Sequence, residues 1–266
     1  MEALRLYVRL VRVSMQARLQ YRVDFVMGIF SVIALNAISL GMISIIVYRF
    51  VSLNGWNIWD LFFLYCLWLL GHSIYSLLFW HFWDLQEYVT QGTFDQFLLR
   101  PASIFIQFIG REVQYIGFAD ASVAVVGLGL AYINLGLHWG VKEWLFFPLV
   151  VLSGAVIETT LVLMTACISF WTGRSDMAID AIMSFNFLVQ NYPIDIFGTW
   201  FRVIVTSLIP VAFMNYYPAL MLLGKSDPQS HWQWLGYMSP VVAIILIAIT
   251  SVVWHFALRR YSSAGG

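Results

Sequence analysis

Charge is what this sequence has least of. Lys, Arg, Asp and Glu make up 11% of its 266 residues and hydrophobic residues 61%, where a soluble domain carries about 25% charged residues. So little polar side chain cannot cover a water-facing globule, which excludes a soluble enzyme and leaves a polytopic membrane protein. Formal net charge is zero, so no basic excess points to nucleic acid. Cysteine is scarce too: Cys66 and Cys167 both lie inside apolar runs, which excludes a disulfide framework and a thiolate metal site. The five histidines have no metal-ligand spacing, and neither G-x-S-x-G nor H-E-x-x-H occurs, so no intramembrane hydrolase is indicated. No filter-like segment or repeated acidic ring suggests an ion channel. No short apolar core with a small-residue cleavage site follows the first arginines, so no cleaved signal peptide is expected.

What is present is a series of long apolar runs. Residues 1–22 are amphipathic instead: Leu4, Val8, Val11, Met15 and Leu19 follow helical spacing, and Arg5, Arg9 and Arg12 share another face. This segment is expected to lie in the membrane interface, each arginine near anionic headgroups contributing about 1 kcal/mol. It runs directly into a membrane span, which argues against a nucleic-acid arm. The remainder, 23–266, reads as six spans. The first four are 23–48, 59–83, 113–135 and one within 143–171, and the last is 235–258 with Pro240 interrupting it near its start. Two runs compete for the fifth: 177–192, moderately apolar, and 203–223, strongly apolar but set among prolines. Ten Lys and Arg fall on the expected cytoplasmic side and four on the other, which places both termini in the cytoplasm.

The longest polar break between spans is 86–101. Phe94, Phe97 and Leu98 fall on one side of a short helix there, with Glu87, Gln91 and Asp95 on another. Gly92 interrupts it and Pro101 stops it. A helix of this kind between two spans suits docking onto a soluble partner; an ordinary interfacial loop helix is the competing reading. Ala219-x-x-x-x-Gly224-Lys225-Ser226 matches a relaxed P-loop, but Leu220, Met221, Leu222 and Leu223 fill its centre, where a phosphate cradle needs flexible backbone. No nucleotide site or metal site is therefore assigned to this chain.

Three segments carry a resemblance. Gly92-Thr93-Phe94-Asp95-Gln96-Phe97-Leu98-Leu99-Arg100-Pro101 resembles the G-x-x-D-x-x-L-L-R-P segment of the permease subunits of bacterial type-2 ABC exporters, closest to a largely uncharacterised branch. Pro193, Pro210 and Pro218, with Asp195 and Asn215 beside them, resemble the Pro-punctuated region after the fifth span of these permeases. The basic end Arg259-Arg260-Tyr261 is similar to the usual close of such chains. The resemblance implies an all-α integral membrane protein with six transmembrane helices, an N-terminal interfacial helix, a cytoplasmic coupling helix at 86–101 and external re-entrant helices at 197–223; span five is then 177–192.

The same resemblance implies ATPase coupling through Gly92, Phe94, Asp95, Phe97, Leu98, Leu99, Arg100 and Pro101, and an external gate at Pro193, Asp195, Pro210, Asn215 and Pro218. It implies two ABC ATPase subunits carrying ATP and Mg, no cofactor on this chain, a second permease identical or similar, membrane lipid around it, and a bacterial cell membrane location. An amphipathic or lipid-like substrate is expected to be exported by alternating access. A stand-alone lipid-handling protein or scramblase is the competing class. Glu158, in the middle of the fourth span, costs roughly 2.5–3.5 kcal/mol to place there. His72 and Glu158 each lie 13 residues from the outer end of their span, so the two are a candidate pair. With Asp120 they are candidates for a translocation path or subunit interface; hydrogen-bonded packing residues are the alternative.

Overall fold

A computed structural model describes residues 22–50, 55–99, 103–110, 112–225 and 233–261. Most of the amphipathic segment (1–21) and the expected coupling residues Arg100 and Pro101 lie outside the described residues. Every element is helical among the described residues: α1 Arg22–Phe50, α2 Ile58–Phe79, α3 Leu85–Thr90, α4 Asp95–Leu98, α5 Ile104–Ile109, α6 Ile116–Asn134, α7 Val141–Ala166, α8 Ser169–Thr172, α9 Asp176–Asn191, α10 Thr199–Val203, α11 Tyr216–Leu222 and α12 Ser239–Arg260. Among the described residues five stretches are long and apolar enough to cross a membrane: Val23–Ile45, Ile58–Thr90, Ile116–Asn134, Val141–Thr172 and Ser239–Arg260, with the bent pair Thr199–Leu208 and Val211–Leu222 a sixth if it counts as one span. The chain is thus an all-α integral membrane protein.

The helix starts follow local chemistry. Asn57 caps α2, its Oδ1 accepting from the N–H groups of Trp59 and Asp60 at 2.9 Å, while Asp60 Oδ2 accepts from Asn57 N–H at 2.8 Å, a reciprocal capping box. Lys225 Nζ donates to that same carboxylate at 2.5 Å and to the Gly55 carbonyl at 3.0 Å. The exit of α11 is therefore tied to the entry of α2. Pro240 does not interrupt the last span. It sits in the first turn of α12, where a missing N–H costs nothing.

Two ends of the bundle are defined by such contacts. At the Trp56 end, the Trp56 indole N–H donates to Asp195, and the Trp139 indole N–H to the Leu222 carbonyl. At the Tyr261 end, the Tyr261 hydroxyl donates to Asp95, and the Gln86 Oε1 accepts from Ser175 and Asp176 N–H groups. Helix α9 runs from Gln86 at one end toward Asp195 at the other. Its 16 residues span about 24 Å. The segment after it bends back: Thr199–Leu208 and Val211–Leu222 meet at 78°. It starts beside Asp195 and finishes at Lys225, both at the Trp56 end.

α2 and α6 approach most closely, through glycine. A Cβ on Gly117 would stand 2.5 Å from the Ser73 carbonyl and 2.8 Å from the Leu77 nitrogen, and one on Gly127 would stand 2.3 Å from Cys66 Sγ. By contrast α1 is peripheral, with Val26, Phe30, Leu35 and Ile38 exposed and Asn36 and Ile43 buried. Gly117→Val is expected to destabilise the fold by about 1–3 kcal/mol, the usual cost of overpacking against backbone. Gly129→Ala, which meets nothing within 4 Å, is expected to leave it unchanged. Thermal unfolding in detergent followed by tryptophan fluorescence separates the two.

Candidate functional site

Tyr65, Trp68, His72 and Tyr75 recur on α2 at spacings of three, four and three, which stacks them on one face. That face turns inward, toward α7 and α9. Glu158 of α7 is 2% exposed and receives two hydrogen bonds on Oε1. His72 Nδ1 lies 2.8 Å away and Asn186 Nδ2 of α9 donates at 3.0 Å. The Trp68 indole N–H donates to Asn186 Oδ1 at 3.1 Å and its ring stacks on His72, centroids 4.6 Å apart. The structure therefore brings His72 and Glu158 together, and joins three helices through one carboxylate.

Contacts from His72 and Asn186 to one carboxylate oxygen offset part of the cost of burying it. Glu158 Oε2 and the Tyr75 hydroxyl, both buried, have no hydrogen-bond partner among the described residues. Such groups give a mid-bundle site able to accept from and donate to a polar visitor.

Asp120 does not join this pair directly. Its Oδ1 accepts from Asn36 Nδ2 of α1 at 2.8 Å, and Asn36 Oδ1 accepts from the Tyr65 hydroxyl at 2.6 Å. This second cluster fastens the peripheral α1 to α2 and α6. Tyr65 and Trp68, rings 6.0 Å apart, set the two clusters side by side.

At the Tyr261 end the stretch from Gln86 is two short helices, not one. Gly92, at φ +72°, takes the left-handed conformation that glycine adopts without strain and reverses the chain between α3 and α4. Glu87, Gln91 and Asp95 thus do not form one polar face: Gln91 donates to Glu87 at 2.8 Å, while Asp95 accepts from the Tyr261 hydroxyl at 2.8 Å. Partial burial, then that carboxylate, push the Tyr261 phenol up to about 12, so the bond persists at neutral pH. Nor do Phe94, Phe97 and Leu98 share a side. Phe94 and Phe97 are buried among Phe108, Phe170 and Tyr261, whereas Leu98 is 49% and Leu99 84% exposed. All three follow Gly92, so that turn does not separate them: Phe94 precedes α4, and Phe97 and Leu98 are successive residues of its single turn, about 100° apart around the axis, so one meets the rings and the other faces outward.

At the Trp56 end, Pro193, Asp195, Pro210, Asn215 and Pro218 are all buried. Asn215 Nδ2 donates to the carbonyls of Leu64 and Val189 at 3.4 and 3.1 Å. Asp195 and Arg202 both lie within electrostatic reach of the Tyr216 hydroxyl. The P-loop-like run is a helix end: Gly224, at φ +65°, stops α11 while Lys225 N–H donates to the Leu220 carbonyl at 2.8 Å, as in a Schellman cap. No group of three or more His, Cys, Asp or Glu side chains is arranged to hold a metal among the described residues.

Sequence reading missed Asn186, Trp68 and Tyr65, although the helical spacing of the last two with His72 was a usable signal. Nothing in the sequence marked Lys225 as the partner of Asp60. A family model described as "ABC-2 family transporter protein" matches residues 33–265. No curated protein and no solved structure matches the chain.

Removing the Glu158 carboxylate strands Asn186 and His72, so Glu158→Ala is expected to destabilise the protein by about 1–3 kcal/mol. Glu158→Gln keeps an acceptor oxygen and is expected to retain most of that stability, but to lower transport. Full transport by a folded Glu158→Gln variant rules out a role for the charge.

Proposed function

The chain belongs to the ABC-2 transporter family, and on that footing we propose that it is the membrane subunit through which an amphipathic or lipid-like molecule is exported, driven by two separate ABC ATPases. The chain itself is a transport component and a multi-pass membrane protein. In this reading two permeases, identical or similar, face each other in a bacterial cell membrane with the Tyr261 end in the cytoplasm. The Lys and Arg count supports that orientation: Arg174, Arg259 and Arg260 lie at the Tyr261 end and Lys225 at the other.

One observation carries the reading. The segment after α2 presents Glu87, Thr90, Gln91, Thr93, Leu98 and Leu99 outward, on a base of interlocked rings. Phe94 meets Phe170 and Tyr261, and Phe97 meets Phe108, which stacks on Trp254 of α12. A push on α3 and α4 thus reaches α8 and α12 through packed side chains, and a packed base moves as a rigid body. ATPase closure would be passed to the spans in this way. The bent pair α10–α11, entering and leaving at the Trp56 end, is then the external gate, and Glu158 with His72 lines the path or the contact between permeases. ATP and Mg remain on the ATPases.

Co-purification in mild detergent with the ATP-binding cassette protein encoded beside this chain tests the reading. Wild type is expected to retain the ATPase stoichiometrically. Glu87→Lys with Leu99→Asp, both exposed, is expected to lose it while unfolding at the wild-type temperature. Equal retention by both moves the docking surface elsewhere. No retention by wild type favours a stand-alone lipid-handling protein.

A further inference from the structure

Between α5, the inner end of α2, the C-terminal half of α7 and α12 lies a cavity of about 600 Å³, within the range of ligand sites. Its floor is Val156 and Ile247 near the middle of the bundle, and its other limit is Leu258 near the Tyr261 end. From Ile247 to Leu258 is eleven residues of α12, about 16 Å of helix. That is one half of a hydrocarbon core about 30 Å thick. Ser251 and His255, on its α12 wall, are exposed on a helix that otherwise presents Ile244, Ile245, Val252 and Phe256 outward. The cavity thus opens sideways, toward lipid.

Along α7 and α12 its hydroxyl groups are bonded within the chain. The Thr159 hydroxyl donates to the Ala155 carbonyl, Thr160 to Val156, Ser251 to Ile247 and Thr250 to Thr160. His255 Nδ1 is held by the Ser251 carbonyl at 2.7 Å. The threonine side chains therefore offer the cavity methyl groups, and the occupant must be hydrocarbon along this length. Arg259 follows His255 by four residues and Ser251 by eight, on the same stripe of α12, and is exposed with Arg260 beside it. A cation waits where the hydrocarbon slot ends.

We propose that this cavity seats an acyl chain of an anionic phospholipid from the leaflet at the Tyr261 end, with the headgroup phosphate on Arg259. A mostly apolar slot one leaflet long, followed by a guanidinium, matches a phospholipid in the order of its parts. The site is independent of transport: lipid binding is read on the permease alone, so its failure leaves the transporter reading intact and loss of ATPase binding leaves the lipid site intact.

The test uses the full chain in nanodiscs containing phosphatidylglycerol with a diazirine half-way along one acyl chain, with labelled peptides mapped after irradiation. Wild type is expected to label at Ile247–Leu258 and Ile104–Ile109. Ser251→Trp, or the milder Ser251→Leu, fills the slot and is expected to suppress that labelling while labelling of α1 stays constant. Arg259→Gln is expected to reduce the preference over the matching phosphatidylcholine probe about fivefold. Even labelling of the lipid-facing helices, unaffected by either Ser251 substitution, overturns the proposal. So does cavity labelling that rises only after removal of residues 1–21, which makes that segment the occupant. Labelling that rises only on dilution to single copies makes a second chain the occupant and overturns it equally.

Discussion

Asn215 donates to the carbonyls of Leu64 and Val189 from a segment that has left regular helix in the middle of an apolar bundle. Between Ile204 and Phe213 the chain passes through a π turn, a break at Ile209–Pro210 and a 3-10 turn. Freed backbone groups are intolerable against lipid and tolerable only inside protein or beside water. The fold meets that constraint by surrounding the break: Pro210 to Leu220 are all buried. Gly154 of α7 lets the Met214 carbonyl come within 3.3 Å of where a Cβ would stand, and Ser239 at the start of α12 donates to the Phe213 carbonyl at 2.8 Å. The positions of α2, α7, α9 and α12 around the tip all answer to this need.

The two halves of the bundle are built differently. Around the Trp56 end the fastenings are polar and specific: Lys225 on Asp60, Trp56 on Asp195, Trp139 on Leu222. Around the Tyr261 end the bonds of Tyr261 to Asp95 and of Gln86 to Ser175 sit on a larger aromatic cluster of Phe82, Phe94, Phe97, Phe108, Phe170 and Trp254. In the proposed reading, ring packing at the Tyr261 end would pass on force without demanding one hydrogen-bond geometry, and the hydrogen bonds at the Trp56 end would hold the gate until a partner is exchanged. Between them, Glu158 joins α2, α7 and α9.

Much of this was legible in the chain. Low charge, long apolar runs and Trp clusters identified the spans to within a few residues, because the cost of polar groups in hydrocarbon leaves little freedom. Equal depth on neighbouring spans was sufficient to pair His72 with Glu158. The stretch at Gly92 was found but its face was drawn wrongly: Phe94 and Phe97 were set with Leu98 on one apolar side. A helical wheel assumes a continuous helix, whereas α4 is a single turn, Asp95–Leu98, that Phe94 precedes. Pro240 was misjudged for a related reason, since proline ends a helix from within but begins one at its first turn.

What the sequence by itself determined is the solvent: a chain with this composition must lie in a membrane and bury the carboxylates that fall inside its spans against partners. Composition and spacing also located the polar stretch between spans two and three. Tertiary structure alone showed where the proline-rich run begins and ends. Hydropathy favours 203–223 as a crossing over the shorter, less apolar 177–192. Yet α9 connects the two ends of the bundle, while the bent pair begins at Asp195 and returns to Lys225. Hydropathy measures only transfer into apolar surroundings, and protein and lipid are equally apolar. Whether a run crosses or turns back depends on which end its termini are fastened to, and those fastenings join residues more than a hundred positions apart: Trp56 with Asp195, Asp60 with Lys225.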